Sequence, residues 1–298
     1  MNWGILSTAN IANRRCNEIT KNKDILFSVS SRTQEKSISF KKKNKIMHAL
    51  NSHDELIINN EIHNIYLPIP CNLRFNYIEK TCLKKKNLLC EKPVCNNLNE
   101  MKKVEKIVKE NNIMFLDATD FLYNPKLSLF KQEICDFNNV HFKFYLKKDN
   151  FFIKNNIRTD KKLEPLGCLG DIGWYAIRWA LFLFNDNVLD VKILEKKIVN
   201  EVIFDLKAII VFENNKKFIF DCSFTKKKTQ EMIVKKDNDI IFKTKDIFKL
   251  SDTKYKDDVF QNARLIEFFN KNINNKKVVD ENLEQLIKVY EIIDKCNI

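Results

Sequence analysis

The first 118 residues restrict the fold most strongly, because short apolar segments alternate there with stretches of helical periodicity. The apolar segments lie at residues 2–6, 25–30, 61–66, 88–90 and 113–118. Each segment predicts a strand, and the helical stretches between them predict the crossover connections that parallel strands require. The pattern is typical of an α/β fold, a doubly wound parallel sheet with helices on both faces.

The pattern changes after Thr119, where longer segments of alternating character begin. Residues 218–224 alternate in the manner of a strand with one buried face, which is typical of antiparallel sheets. We therefore predict a Rossmann dinucleotide-binding domain over residues 1–119 and an α+β domain with a mostly antiparallel open sheet over residues 120–298. Further predicted elements are a hairpin turn at Asn214-Asn215 and helices over residues 257–270 and 282–294.

The turn after the first strand occupies the place of the glycine-rich turn G-x-G-x-x-G/A, which lays a pyrophosphate on a helix N-terminus. It consists of Ser7, Thr8, Ala9, Asn10, Ile11 and Ala12. Ala12 matches the motif, whereas Ser7 and Ala9 replace the two glycines. On this motif alone dinucleotide binding would be rejected. Because Ser and Ala are the smallest replacements, however, binding with reduced affinity is a reasonable expectation.

The second strand ends at Ser31 and Arg32, about twenty residues after the first turn, where the residue that recognises the ribose belongs. An NAD enzyme places Asp or Glu there. A hydroxyl and a guanidinium instead suit a 2′-phosphate, which favours NADP over NAD. The alternative is an ordinary strand-to-helix loop that exposes an arginine.

A third loop follows the strand over residues 88–90 and contains Glu91, Lys92 and Pro93. Because Pro93 has no N–H for the ladder, the chain must leave the sheet here, which places Lys92 at the carboxyl end of a strand. A lysine in this position is a candidate proton donor. For an isolated E-K-P motif a surface lysine in a loop would be the simpler interpretation, but the rest of the chain favours the proton donor. Leu67, Pro68 and Pro70 form a stiff loop at the same predicted edge.

Three of the four glycines in the chain, Gly167, Gly170 and Gly173, fall within seven residues. In so glycine-poor a sequence, this clustering indicates positions that need unusual dihedral angles or close backbone approach. Asp171 and Tyr175 are four residues apart and would share a face of a helix. Tyr175 could be a core residue, but an acid one turn earlier favours a functional site.

Composition excludes several classes of protein. The net charge is +13, yet no nucleic-acid reader motif accompanies the lysine runs, so nucleic-acid binding is not favoured. Nine cysteines without a CxxC pair, and four histidines without ligand spacing, argue against structural zinc or a disulfide framework. Free thiols fit a reducing cytosol. No apolar run is long enough to cross a membrane, and the early first strand leaves no room for a cleavable presequence.

Three motifs together resemble the glucose–fructose oxidoreductase and inositol dehydrogenase family (Gfo/Idh/MocA). They are residues 2–12, Glu91-Lys92-Pro93 and the segment from Gly170 to Tyr175. Within that family the chain is most similar to the branch of trans-dihydrodiol dehydrogenase, NADP-dependent D-xylose dehydrogenase and their plant relatives. The resemblance implies hydride transfer between NADP and a carbinol carbon of a polyol, an aldose or a dihydrodiol.

The resemblance also implies individual roles. Lys92 and Tyr175 correspond to the lysine and the acid/base tyrosine that handle the substrate proton, and Asp171 to the acid one turn before that tyrosine. The implied cofactor contacts are Ser7, Thr8, Ala9, Asn10, Ile11, Ser31, Arg32, Leu67, Pro68, Pro70, Glu91 and Lys92. Arg158 and Trp174 would contact substrate. We further expect Lys92 and Tyr175 to face one cleft, a cis Lys92–Pro93 bond, no metal, and a homodimer formed through the second sheet.

Departures from the family pattern leave a second interpretation open. Cys71, Arg74, Leu122 and Asn124 replace residues usual in the branch. Of these, Leu122 and Asn124, together with Ser7 and Ala9, favour a catalytically silent relative that keeps the fold as a binding or regulatory module. Retention of Lys92, Asp171 and Tyr175 favours the enzyme.

Overall fold

The computed structural model describes residues 1–147, 152, 156–249 and 264–297. These residues form two compact units. The first comprises Met1–Cys95, Asn99–Ala118 and Leu265–Glu284, and the second Asn96–Leu98, Thr119–Arg264 and Gln285–Ile298. Nothing in the sequence pattern indicated that Leu265–Glu284 packs with the first unit, and the predicted domain boundary after residue 119 stays a prediction.

The first unit contains a parallel sheet in the order β3-β2-β1-β4-β5-β6. Its strands are β1 (Asn2–Leu6), β2 (Ile25–Ser30), β3 (His48–Leu50), β4 (Asn64–Leu67), β5 (Asn87–Cys90) and β6 (Phe115–Asp117). Strand β1 lies between β2 and β4, so the chain turns to opposite sides of β1 in its two halves. This order defines the doubly wound dinucleotide-binding fold, which confirms the predicted fold of this part of the chain.

The helices, in chain order, are α1 (Asn10–Lys21), α2 (Gln34–Asn44), α3 (His53–Ile58), α4 (Cys71–Leu83), α5 (Leu98–Asn111), α6 (Leu127–Glu133), α7 (Trp174–Leu183), α8 (Leu265–Lys271) and α9 (Lys276–Asn297). Helix α5 shows why they pack as they do. Its Met101, Val104 and Val108 recur at helical spacing and are fully buried, so one stripe of the helix faces the core. The first residues of the helix predicted over 257–270 lie outside the described residues.

Asp24 explains how α8 joins the first unit. The buried carboxylate accepts hydrogen bonds from the indole Nε1 of Trp3 at 2.9 Å and from Asn270 Nδ2 at 2.6 Å. It also pairs with the terminal amine of Met1 at 2.7 Å. The Trp3 ring packs against Phe269, with centroids 5.1 Å apart. One acid before β2 therefore ties the first strand to a helix about 240 residues later in the sequence.

The second unit contains a sheet in the order β12-β11-β7-β10-β9-β8. Its strands are β7 (Asn139–Tyr145), β8 (Val188–Val199), β9 (Val202–Phe212), β10 (Lys217–Ser223), β11 (Thr229–Lys236) and β12 (Asp239–Thr244). β7 and β10 pair in parallel and the other neighbours are antiparallel, which confirms the predicted, mostly antiparallel sheet. Asn214 and Asn215 have φ of 57° and 59°, which confirms the predicted hairpin turn.

The three clustered glycines precede α7, and the structural need for glycine is clearest at Gly167. Its φ is +54°, and a Cβ atom there would lie 2.3 Å from the carbonyl oxygen of Ile203. A π-helical turn, Leu169–Gly173, then leads into α7. Asp171 therefore lies in this turn rather than in the α-helix that the four-residue spacing predicted, and the i, i+4 argument for a shared face with Tyr175 does not apply.

We expect Gly167→Ala to lower the free energy of unfolding by about 3 kcal/mol. A left-handed conformation costs an L-residue about 1–2 kcal/mol, and overpacking adds about 1–3 kcal/mol. Asn215→Ala is the matched control, because Asn215 also has positive φ but is exposed, so only the conformational cost of about 1 kcal/mol applies. Urea unfolding measures both variants. Equal, small losses would contradict the steric argument.

Candidate functional site

The carboxyl ends of the parallel strands meet at one edge of the first sheet. Leu6 pairs with Ser30, and Leu67 pairs with Cys90, so the loops after β1, β2, β4 and β5 emerge side by side. The cofactor residues predicted from the sequence lie in or beside these loops. Ligands of open α/β sheets bind at this edge, next to the strand where the order reverses.

The turn after β1 keeps a glycine-like backbone without glycine. Ser7 has φ of 143°, a region that residues with a Cβ atom rarely adopt. Its hydroxyl accepts a hydrogen bond from the backbone N–H of Ala9 at 3.2 Å. The first glycine of the motif is therefore missing, but the chain still makes the turn that this glycine normally allows.

The N-terminus of α1 presents backbone N–H groups in the same turn. Among the described residues, no side chain caps the helix at Ala9, and the first turn contains no acid. Asn10 and Ile11 are exposed. Uncapped N–H groups and the positive end of a twelve-residue helix dipole together favour an anion such as a pyrophosphate.

The loop after β2 lies against this turn. The hydroxyls of Thr8 and Ser31 are 3.2 Å apart, and Ser31 is buried. Arg32 follows and is exposed. The structure thus brings together the two segments that the sequence assigned to the pyrophosphate and to the 2′-phosphate.

Glu91 is held in place by two residues that sequence reasoning missed. The Tyr66 hydroxyl donates a hydrogen bond to Glu91 Oε1 at 2.6 Å. The buried guanidinium of Arg15, on α1, lies 4.0 Å from the same oxygen and 5.4 Å from the centre of the Tyr66 ring. The segment before Lys92 is therefore linked to the helix that follows the dinucleotide turn. No sequence motif pairs these residues, because the contacts depend on strand order.

Arg74 has a structural role at the same edge. Its Nε donates to the carbonyl of Ile69 at 2.7 Å, and its Nη1 donates to the carbonyl of Pro93. Arg74 thus joins the proline-rich loop after β4 to the loop after β5. The Lys92–Pro93 bond is cis, as predicted, and Lys92 itself is half-buried. Leu67 and Pro68 are buried, whereas Pro70 is half-buried.

The second unit holds the acid and the tyrosine. Arg158 Nε pairs with Asp171 Oδ2 at 3.0 Å, and the Asp171 carboxylate raises the pKa of Arg158. A phenolate at Tyr175 would raise the pKa of Arg158 further. The Tyr175 ring lies among Phe121, Phe144 and Phe248, with centroid distances of 6.3, 6.1 and 5.1 Å.

Trp174 is fully buried at the start of α7. Its Nε1 donates to the hydroxyl of Thr119 at 2.8 Å, and its ring packs against Tyr290 at 5.9 Å. In this position the indole anchors the helix that carries Tyr175. The predicted contact of Trp174 with substrate stays a prediction.

The predicted site residues divide between the two units. Lys92 lies in the first unit, and Asp171 and Tyr175 lie in the second. Their shared cleft stays a prediction. Over residues 1–147, 152, 156–249 and 264–297, no group of three or more His, Cys, Asp or Glu residues could hold a metal ion. Within the same ranges no helix has the length and apolar character to cross a membrane.

Comparison with known proteins relates the N-terminal part of the chain to an oxidoreductase family. Residues 1–117 match GFO_IDH_MocA, described as an oxidoreductase family with an NAD-binding Rossmann fold. Trans-1,2-dihydrobenzene-1,2-diol dehydrogenase from Danio rerio is 26% identical over 191 residues, which cover 62% of this chain and 56% of the relative. The chain thus spans about half the length of the curated relatives it matches.

Solved structures share the fold over almost the whole chain. A protein of gentamicin A biosynthesis, solved with NAD, has a TM-score of 0.84 at 12% identity and covers 99% of this chain and 93% of its own. A 3-ketoreductase from Actinomadura kijaniata, solved with NADP and TDP-benzene, has a TM-score of 0.80 at 15% identity, with 99% and 96% covered. At these identities the similarity establishes the fold alone, including that of the second unit.

We expect Ser7→Gly to raise the free energy of unfolding by about 1 kcal/mol. Removing the Cβ atom relieves a conformation that costs about 1–3 kcal/mol, while glycine adds about 0.5–1 kcal/mol of chain entropy. Ser31→Gly, where the backbone is not in the left-handed region, should instead destabilise. Urea unfolding of the two variants compares them directly. Because Ser7→Gly also removes the acceptor of the Ala9 N–H, Ser7→Ala measures that loss separately. A Ser7→Gly variant no more stable than Ser7→Ala would show that the turn is not strained.

Proposed function

Because residues 1–117 belong to the Gfo/Idh/MocA oxidoreductase family, we propose that this protein transfers a hydride between NADP and a carbinol carbon. The substrate is a polyol, an aldose or a dihydrodiol. One observation carries the proposal: an uncapped helix N-terminus adjoins a hydroxyl pair and an exposed arginine at the edge where such sheets bind dinucleotides.

The cofactor part of the proposal assigns each loop a portion of NADP. The turn from Ser7 to Ile11 and the α1 N-terminus hold the pyrophosphate. Ser31 and Arg32 hold the 2′-phosphate, since a guanidinium can bind phosphate with two parallel hydrogen bonds. Pro68 and Pro70 lie over the nicotinamide. NAD, which lacks the 2′-phosphate, binds more weakly.

The catalytic part of the proposal assigns the residues that transfer the proton. When bound, the nicotinamide supplies or accepts the hydride, and the protein must move one proton to or from the substrate oxygen. Lys92 and Tyr175 share this task. Arg158 stabilises a phenolate at Tyr175 by its charge, and Asp171 holds the guanidinium in place at 3.0 Å.

A homodimer through the second sheet is part of the proposal. β8 and β12 are the edge strands of that sheet, and both expose large aliphatic side chains. These are Leu189, Ile193, Leu194, Ile198, Ile240 and Ile241. Exposed apolar side chains on edge strands favour association with another chain.

A catalytically silent relative is the second candidate, and the Ser7 hydroxyl favours it. That hydroxyl accepts the Ala9 N–H, which a bound pyrophosphate would otherwise need. Leu122 and Asn124 replace residues that are usual beside the substrate in the related branch. In this case the first unit binds a nucleotide weakly, or not at all, and the protein acts as a binding or regulatory module.

Arg32→Ala tests the cofactor assignment. We expect NADPH binding to weaken by about 1–3 kcal/mol, the usual contribution of a charge-assisted hydrogen bond, while NADH binding barely changes. Lys36→Ala is the charge-matched control, because Lys36 is also an exposed cation and lies about one helical turn after Arg32. Fluorescence titration with both cofactors gives the dissociation constants. An equal loss for NADPH and NADH would place Arg32 away from the 2′-phosphate.

Lys92→Met and Tyr175→Phe test the proton transfer. Each should lower turnover by about 10²–10⁴, the usual contribution of a positioned acid or base, with little change in NADPH affinity. The double variant should be little worse than either, because the two groups act as a unit. Lys84→Met, at an exposed helix end, is the control. Turnover is measured with aldoses and dihydrodiols, and undiminished activity of both single variants would refute the roles.

A further inference from the structure

His53 lies at the same edge of the first sheet, after β3, and adjoins the residues of the proposed 2′-phosphate site. It begins α3, shortly after β3, and its ring Nδ1 is 2.8 Å from the hydroxyl of Ser30. Ser30 is fully buried, ends β2, and lies two residues before Arg32. The imidazole is therefore fixed to the same strand end that presents the arginine.

The groups around His53 fix the ring and set its charge. Tyr77, on α4, meets the imidazole edge-on with ring centroids 5.3 Å apart. The acid nearest in sequence, Asp54, is engaged by Lys80 of α4 at 2.6 Å, and Lys80 also lies over the Tyr77 ring at 5.6 Å. Burial lowers the pKa of His53; Asp54 opposes this shift, and the positive charge of Arg32 adds to it.

These contacts leave one ring nitrogen for a ligand. In the charged imidazole, Nδ1–H donates to the Ser30 hydroxyl and Nε2 carries the second proton. A phosphate dianion on Arg32 would cancel the repulsion that disfavours the charged ring and add attraction of its own. Both effects favour protonation while the phosphate is bound.

We propose that His53 is a second cation of the 2′-phosphate site, which takes a proton from solvent when NADP binds and returns it when NADP leaves. The proposal rests on the proposed function, in which Arg32 receives the 2′-phosphate. It deepens that function by making the preference for NADP over NAD depend on pH. The proton moves between solvent and the imidazole, and no covalent bond to phosphorus forms.

The test is calorimetric titration with NADPH and NADH at several pH values, in buffers of different ionisation enthalpy. We expect net proton uptake near pH 7 with NADPH and none with NADH. When the pH is lowered from 8 to 6, the NADPH affinity of the unmodified protein should increase about tenfold more than the NADPH affinity of His53→Gln. The reason is that a nearby opposite charge shifts a pKa by about 1–3. The 2′-phosphate also titrates, near pH 6, and the His53 cation lowers its pKa in the unmodified protein. Proton uptake is therefore compared at pH 7, where the free phosphate is already mostly a dianion.

His48→Gln is the matched control, because His48 is exposed on β3 and packs against Phe27. It should keep the proton uptake that His53→Gln loses. Proton uptake by the unmodified protein is informative even if His53→Gln unfolds. Tight, Arg32-dependent NADPH binding without proton uptake would overturn the role of His53 and leave the proposed function intact. NADPH binding no tighter than NADH binding would overturn both.

Discussion

The parallel register of β1 with its two neighbours is the constraint on which the rest of the first unit depends. Leu6 opposite Ser30, and Ile5 opposite Tyr66, bring the ends of three strands to one edge. Every candidate cofactor residue of this unit lies in or beside a loop that leaves this edge. The backbone hydrogen bonds of the sheet therefore position the candidate binding loops, and the side chains of these loops supply the remaining contacts to a ligand.

The loops that leave this edge make contacts that differ from the family pattern. Ser7 makes the dinucleotide turn at a φ of 143° and accepts a hydrogen bond from the Ala9 N–H. The backbone therefore has the conformation that the first glycine would allow, but the Ser7 hydroxyl occupies an N–H group that a ligand would use. Arg74 connects two loops through the carbonyls of Ile69 and Pro93. These replacements keep the geometry of the edge while changing the groups that face a ligand.

Much of this could be predicted from the sequence, because strand periodicity and the order of loops are local properties. The sheet edge, the hairpin at Asn214-Asn215 and the antiparallel second sheet followed from such patterns. The link from Arg15 to Glu91 and the contacts of Asp24 with α8 could not be predicted, since they join residues distant in sequence. The π-helical turn was also missed, because four-residue spacing fits an α-helix equally well.

Equilibrium titration of the unmodified protein with NADPH and with NADH tests the central claim most directly. The account predicts saturable binding of one NADPH per chain, at least about tenfold tighter than NADH, because the 2′-phosphate adds a charge-assisted contact. The uncapped α1 N-terminus and the glycine-like turn would then hold a dinucleotide despite the missing glycines. Failure of both cofactors to saturate the protein at millimolar concentration would contradict the account.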